Sequence, residues 1–209
     1  MPDDTWERRH LDAGYNTVCG VDEAGRGPWA GPVVAAAAVV DFGSLPDTLL
    51  TAIDDSKKLS ALKRQSVFKE FGDSIDVGIG IADVDEIDQL NILQATMLAM
   101  KRAVENLTYD ADFALIDGNR CPDLGAIDST AIVKGDSQCL SIAAASIAAK
   151  VTRDEIMYDL SKRYPGYGWE RNAGYGTAEH QQALGLLGVT PAHRKSFAPI
   201  RKILGQESM

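Results

Sequence analysis

The chain has 209 residues, 45% hydrophobic and 24% charged, enough to bury a full core as one domain with at most a C-terminal appendage. Its formal net charge of -9 excludes a uniformly basic coat for nucleic acid, but the charge is uneven: residues 1–120 carry 11 Lys and Arg against 21 Asp and Glu, residues 121–209 carry 10 against 9. Three cysteines without a CxxC pair exclude a disulfide framework, and three histidines far apart in sequence argue against a histidine-based zinc site.

The polar stretch Met1–His10 lacks the apolar core of a signal peptide, and no uninterrupted apolar run reaches membrane-spanning length. A cytoplasmic protein with no membrane partner is expected. Two apolar strands follow, at 17–23 and 32–41, the second a continuous run from Val33 to Val40 that reads as buried on both faces. Between them lies Asp22-Glu23-Ala24-Gly25-Arg26-Gly27-Pro28, closed by Gly31-Pro32. Neighbours on a regular strand point to opposite faces, so Asp22 and Glu23 can share a site only where the strand ends or twists. Carboxylates attract hard cations such as Mg²⁺ or Mn²⁺, and the glycines let backbone approach a bulky anionic ligand.

Ser60 predicts a helix cap, with Leu62, Val67, Phe68 and Phe71 as the apolar face and Gly72 as the stop. Ile75, Val77, Ile79 and Ile81 alternate with Asp76, Gly78, Gly80 and Ala82, a half-buried strand. A long helix is expected over 85–107, with Ile87, Leu90, Leu93, Met97, Met100, Val104 and Leu107 as its core stripe. Phe113–Asp117 is a short buried strand ending in an acid and Gly118, and 130–133 is another, ending at Lys134-Gly135-Asp136. Residues 141–163 form a helix rich in alanine, suited to close contact with another element, on which Lys150 and Asp154 are spaced as an ion pair. A glycine- and tyrosine-rich loop begins at about 164, and a modest helix spans 177–187. Leu204–Met209 carries no aromatic clamp-binding motif, and a monomer is expected.

These signals predict an α/β fold, a mixed sheet flanked by helices with a small helical C-terminal part. Asp22, Glu23, Asp117 and Asp136 each follow an apolar segment beside glycine, where sheet enzymes place their sites. Four gathered carboxylates raise one another's pKa unless cations sit among them, and an oxygen-only set favours Mg²⁺ or Mn²⁺ over zinc. The number of acids suits a two-metal site. Lys57-Lys58, Lys63-Arg64, Lys162-Arg163 and His193-Arg194-Lys195 are local cationic clusters that predict a short, salt-sensitive nucleic-acid footprint.

From about Cys19 to Pro199 the chain closely resembles bacterial ribonuclease HII, through DEAGRGPWAGP at 22–32, DSKKLS at 55–60, LNILQATMLAM at 90–100, IDGN at 116–119, AIVKGD at 131–136, SIAAASIAAKVTRD at 141–154, GYGT at 174–177 and HRKSFAP at 193–199. The resemblance implies the ribonuclease H-like fold and an endoribonuclease that cuts the RNA strand of RNA–DNA hybrids and the 5′ side of single ribonucleotides in duplex DNA, leaving 3′-hydroxyl and 5′-phosphate ends. It makes Asp22, Glu23, Asp117 and Asp136 the acids that bind two Mn²⁺ or Mg²⁺ ions with substrate. It sets Gly25, Arg26 and Gly27 against the sugar edge of the ribonucleotide, whose 2′-OH separates RNA from DNA. Tyr175 becomes a wall beside the RNA-to-DNA junction, and Lys57, ahead of Lys58, a phosphate contact. Trp29 and Asn172-Ala173 depart from the family pattern, which more commonly has a smaller apolar residue and basic residues there. Two other readings compete: a related metal nuclease such as ribonuclease HIII, which carries an extra N-terminal domain and a different fourth acid, and a nucleic-acid binding module that does not cleave.

Overall fold

The computed structural model describes residues 2–53 and 59–205. In chain order the elements are α1 (Thr5–Asp12), β1 (Val18–Ala24), β2 (Val33–Val40), α2 (Asp47–Ala52), α3 (Ala61–Lys69), β3 (Ile75–Ala82), α4 (Val84–Leu90), α5 (Ile92–Glu105), β4 (Phe113–Asp117), β5 (Asp128–Ile132), α6 (Leu140–Arg163), α7 (Trp169–Asn172), α8 (Ala178–Leu187) and α9 (Ala198–Ile203). Five strands form one mixed sheet in the order β3-β2-β1-β4-β5. β2 runs antiparallel to β1 and β3, whereas β4 lies parallel to β1 and β5 parallel to β4. This is the mixed α/β architecture that the strand and helix signals predict.

Helices cover both faces of the sheet. The alanines of β2 divide between them: Ala36 and Ala38 join the cluster built with α6, and Ala35 and Ala37 the cluster built with α5. Side chains this small let both helices ride close to the strand. A further cluster gathers Ala30, Met157, Tyr167, Trp169, Leu184 and Ile200, so the C-terminal helices pack beneath the loop after β1 and against the second half of α6. Among the described residues, no helix is long and apolar enough to cross a membrane.

Several local expectations change. The helix over 85–107 is two helices: Asn91, at φ 70°, ends α4, and its Oδ1 accepts from Leu93 N at 3.0 Å and Gln94 N at 3.2 Å to start α5. With ψ 162° this is a costly positive-φ conformation for a residue with a side chain, offset here by the two side-chain bonds, and a single-residue break leaves the apolar spacing nearly intact. Ala95, Ala99 and Ala103 are fully buried against the sheet, while Leu90 is exposed. On β3, Gly78 and Gly80 face α5, where a Cβ would stand 2.1 Å from Ala103 O and 2.0 Å from Ala99 O, and Ile81 is partly exposed. Leu62 of α3 is 81% exposed and outside the apolar face, although Ser60 caps that helix through Lys63 N at 3.2 Å. Sequence reading missed α1, α2, α7 and α9, all too short to show a helical period. α1 docks through buried Glu7, which accepts from Ser141 N at 2.7 Å and Ser141 Oγ at 2.6 Å and so caps α6 from another element.

Candidate active site

The parallel β1–β4 pair carries the site. Their register sets Val21 beside Ile116, and both chains continue directly into acids, Asp22 and Asp117. One residue after Glu23 the strand ends, and Gly25 takes φ 97°. A side chain at Gly25 would also collide with Arg153, whose Nε lies 1.9 Å from the position of a Cβ. The turn thus needs glycine for conformation and for space. With the strand ending there, Asp22, Glu23 and Asp117 line a single cavity together with Gly25, Arg26, Gly27 and Tyr175.

Ser146, Lys150 and Arg153 of α6 also line the cavity, so with Arg26 counted three acids face three cations there, yet two of the acids are held above their ordinary pKa. Burial, then the charges of Glu23 and Asp117, push the Asp22 carboxyl well above the usual range, against hydrogen bonds from Ser146 of α6 and from Glu23 N at 2.7 Å. Burial also raises Glu23, opposed by Arg26, whose Nη1 donates to Glu23 Oε1 at 3.2 Å. Asp117 Oδ1 accepts from Gly135 N at 2.7 Å. Three carboxylates held this close are stabilised by cations.

Asp136 takes a different position from its partners. It is 3% exposed in a 3₁₀ turn over 135–137 that follows β5, one residue beyond the N–H that holds Asp117, and is not among the cavity's lining residues. The expectation that it ends a strand is corrected: β5 stops at Ile132, and Lys134 at φ 58° turns the chain into the 3₁₀ turn. Among the described residues no three His, Cys, Asp or Glu side chains form a ready-made ion cage. The donor chemistry of Asp22, Glu23 and Asp117 nevertheless suits a hard divalent ion, which keeps several waters and shares substrate oxygens rather than demanding an all-protein cage. Lys57 lies outside the described residues.

Tyr175 is 49% exposed, and a Cβ on Gly27 would come within 3.3 Å of its Cε1, so the aromatic ring borders the glycine loop. Trp29 ties that border: its N–H donates to Gly174 O at 2.8 Å, and its carbonyl accepts from Arg194 N at 2.9 Å. Asp154 pairs with Lys150, and with Arg64 at 3.6 Å, and is not a lining residue of the acid cavity. His180 and His193, 13 residues apart, meet through their Nε2 atoms at 3.0 Å. Trp169 Nε1 donates to His180 and Thr190 N to His193, so the pair is consumed by internal bonds, and burial lowers His193 to about 4. Sequence reading missed this pair and the buried guanidiniums of Arg153 and Arg194; nothing in their local sequence marks them.

A family model described as Ribonuclease HII matches residues 19–200. A curated Ribonuclease HII of Rhodospirillum rubrum is 55% identical, with 100% of this chain and 94% of that protein covered. The crystal structure of the ribonuclease H2 from Pyrococcus horikoshii OT3 superposes with a TM-score of 0.75 at 27% identity, covering 91% of this chain and 98% of that one. The crystal structure of Bst-RNase HIII in complex with Mn²⁺ shares the fold, with a TM-score of 0.71 at 20% identity, covering 91% of this chain and 70% of that one.

Proposed function

The chain belongs to the ribonuclease HII family and is a ribonuclease H-type hydrolase, and from this premise we propose that it is an endonuclease that cuts 5′ of single ribonucleotides in duplex DNA as well as within RNA–DNA hybrids. The observation that carries the reading is the convergence of Asp22, Glu23 and Asp117 in one cavity with Gly25, Arg26, Gly27 and Tyr175. Acids alone describe a metal site; acids beside a close-approach loop and an aromatic border describe a metal site that inspects a sugar.

Asp22, Glu23 and Asp117 hold divalent Mn²⁺ or Mg²⁺, with Asp136 completing the set and helping to order the attacking water. Two ions bound with substrate supply Lewis-acid stabilisation of charge developing on the phosphoryl oxygens. Gly25, Arg26 and Gly27 recognise the 2′-OH through backbone groups, since that hydroxyl both donates and accepts. Tyr175 stacks against the neighbouring deoxysugar and disfavours a second hydroxyl there. Lys57 contacts a phosphate. The part of the chain from about 164 serves substrate binding within a single catalytic domain, and the enzyme works as a cytoplasmic monomer.

The test is cleavage of end-labelled duplex DNA carrying one ribonucleotide, with Mg²⁺, Mn²⁺ or chelator, beside all-DNA and long-hybrid substrates. The expected result is one metal-dependent cut on the 5′ side of the ribonucleotide, with a 3′-hydroxyl product and no cut in DNA alone. Cleavage of long hybrids without any cut at a single ribonucleotide overturns the substrate reading and leaves a ribonuclease HIII-like nuclease. Binding without cleavage in either metal, by folded protein, leaves the non-catalytic module.

A further inference from the structure

The glycine-loop wall of the cavity rests on two arginines that pair with no carboxylate among the described residues. Arg194 is 0% exposed and commits its donors to four carbonyls. Nε reaches Gly31 O at 2.9 Å, Nη1 reaches Arg26 O at 2.9 Å, and Nη2 reaches Gly25 O at 2.6 Å and Pro32 O at 3.1 Å. Arg153, 1% exposed, donates to Pro32 O at 3.1 Å, Ala173 O at 3.1 Å and Ala30 O at 3.2 Å. Among the described residues no carboxylate stands within 4.0 Å of either guanidinium. Burial lowers Arg194 to about 9 and Arg153 to about 10, which leaves both charged at neutral pH. Burying two unpaired cations is costly, and a core that needed only filling is better served by apolar side chains.

What the cations hold is directional. Gly25 and Arg26 supply the carbonyls of two consecutive peptide planes, and every described peptide is trans. In a trans peptide the C=O and N–H point in opposite directions. Seating those carbonyls on Arg194 therefore turns the N–H groups of Arg26 and Gly27 away from it. Among the described residues neither N–H donates to another part of the chain. Both residues line the cavity that holds the acids.

We propose that Arg194 is a positioning residue for substrate selection, which fixes the adjacent N–H groups of Arg26 and Gly27 as a pre-aimed pair of donors to the ribose 2′-hydroxyl oxygen. The proposal rests on the reading of the glycine loop given above. Lysine cannot replace it, because one ammonium lacks the planar fork that reaches carbonyls of both segments at once. A loop left free to rotate its peptide planes would still bind duplex DNA but would lose the sugar test.

The experiment compares the parent protein with Arg194→Lys on duplexes that carry one ribonucleotide or none. Arg194→Lys should lose about 10- to 100-fold in kcat/KM on the ribonucleotide duplex, the scale of a misplacement near 1 Å, with Kd for all-DNA duplex unchanged. In the parent, with chelator present, the ¹⁵N–¹H resonances of Arg26 and Gly27 should shift on adding the ribonucleotide duplex and not the all-DNA duplex, and Arg194→Lys should abolish that difference. If the parent shows no such shift, the reading of the loop fails, and this inference with it. If the parent shows the shift and Arg194→Lys keeps both shift and rate, the loop reading stands and the role of Arg194 is refuted. Should Arg194→Lys not fold, guanidinium hydrogen exchange in the parent decides: Arg194 protons should exchange far more slowly than those of exposed Arg26, and equal rates overturn the proposal.

Discussion

Gly20 offers a quantitative probe of how β1 and α6 hold the acids. It sits two residues before Asp22, where α6 crosses the strand. A Cβ there would stand 2.2 Å from Ile142 N, 2.3 Å from Ser141 C and 2.5 Å from Ser141 Oγ. The first two are backbone atoms, so no change of rotamer relieves the clash. To reach ordinary contact at 3.4 Å the helix must retreat by roughly 1 Å. It is not free to do so, because Glu7 grips Ser141 and the alanines of α6 are packed into the core.

Overpacking of this kind costs about 1–3 kcal/mol. For a chain of this size each kcal/mol lowers Tm by about 2–4 °C, so Gly20→Ala should melt roughly 2–12 °C below the parent. Activity should fall as well. α6 carries Ser146, which bonds Asp22, and Arg153, which supports the loop. A misplacement near 1 Å at such a site costs on the order of 10²-fold in rate. Gly185→Ala is the matched control: it lies in α8, a Cβ there meets nothing within 4 Å, and it should gain about 0.5–1 kcal/mol with activity unchanged. Circular dichroism melts and initial cleavage rates read both effects. A Gly20→Ala protein within about 1 °C of the parent Tm and at the parent rate would refute a rigid strand–helix contact.

Asp22→Asn keeps shape while removing a buried, repelled charge, so cleavage should fall by orders of magnitude while Tm in chelator holds or rises; a Tm loss above about 4 °C would show that the carboxylate is structural. Chelation should abolish cleavage, and restoring Mn²⁺ or Mg²⁺ should recover it and raise Tm, since cations relieve repulsion among Asp22, Glu23 and Asp117; a metal-independent Tm argues against ion binding by the free protein. Burial raises Glu7 above its ordinary 4.5 despite its bonds to Ser141. The folded state therefore holds the proton more tightly, and Glu7's contribution is full below pH 4.5 and is lost as pH rises through its folded pKa. Glu7→Gln should flatten that part of the stability–pH curve in urea melts, and an unchanged slope rules Glu7 out as its source.

What the sequence made legible is what is local. An apolar strand that runs into acids and then glycines announces itself within a dozen residues, as Val21–Gly27 and Leu115–Gly118 do, because strand ending, charge and close approach are all written in adjacent positions. The capping of α3 by Ser60 is equally local. Missed features are those whose cause is distant. Arg194 stands in a cationic cluster that predicts contact with nucleic acid, yet His193 and Arg194 are buried, and the acceptors of Arg194 lie more than 150 residues earlier in the chain. His180 and His193 become partners only through the fold of the C-terminal helices. Gly78, Gly80 and the alanines of α5 were overshadowed by larger neighbours, since hydrophobic periodicity weights size, whereas close contact between helix and sheet selects for its absence.

The acidic net charge is reconciled with a nucleic-acid substrate by where the charges sit. Three of the acids converge on the cavity, and with the divalent cations of the proposed function bound among them the site would present positive charge to a phosphodiester. Arg194 behind the loop and Arg153 on the cavity wall add two buried cations, invisible to any count of surface charge. α6 serves both sets, through Ser146 at Asp22 and Arg153 at the loop, whereas Arg194, from the segment before α9, reaches only loop carbonyls. On the proposed reading, Arg194 is thus the point at which sugar selection is separable from chemistry. Loss of an acid should leave discrimination in binding intact, while loss of the carbonyl grip should leave an enzyme with its acids in place and no firm means of recognising where to cut.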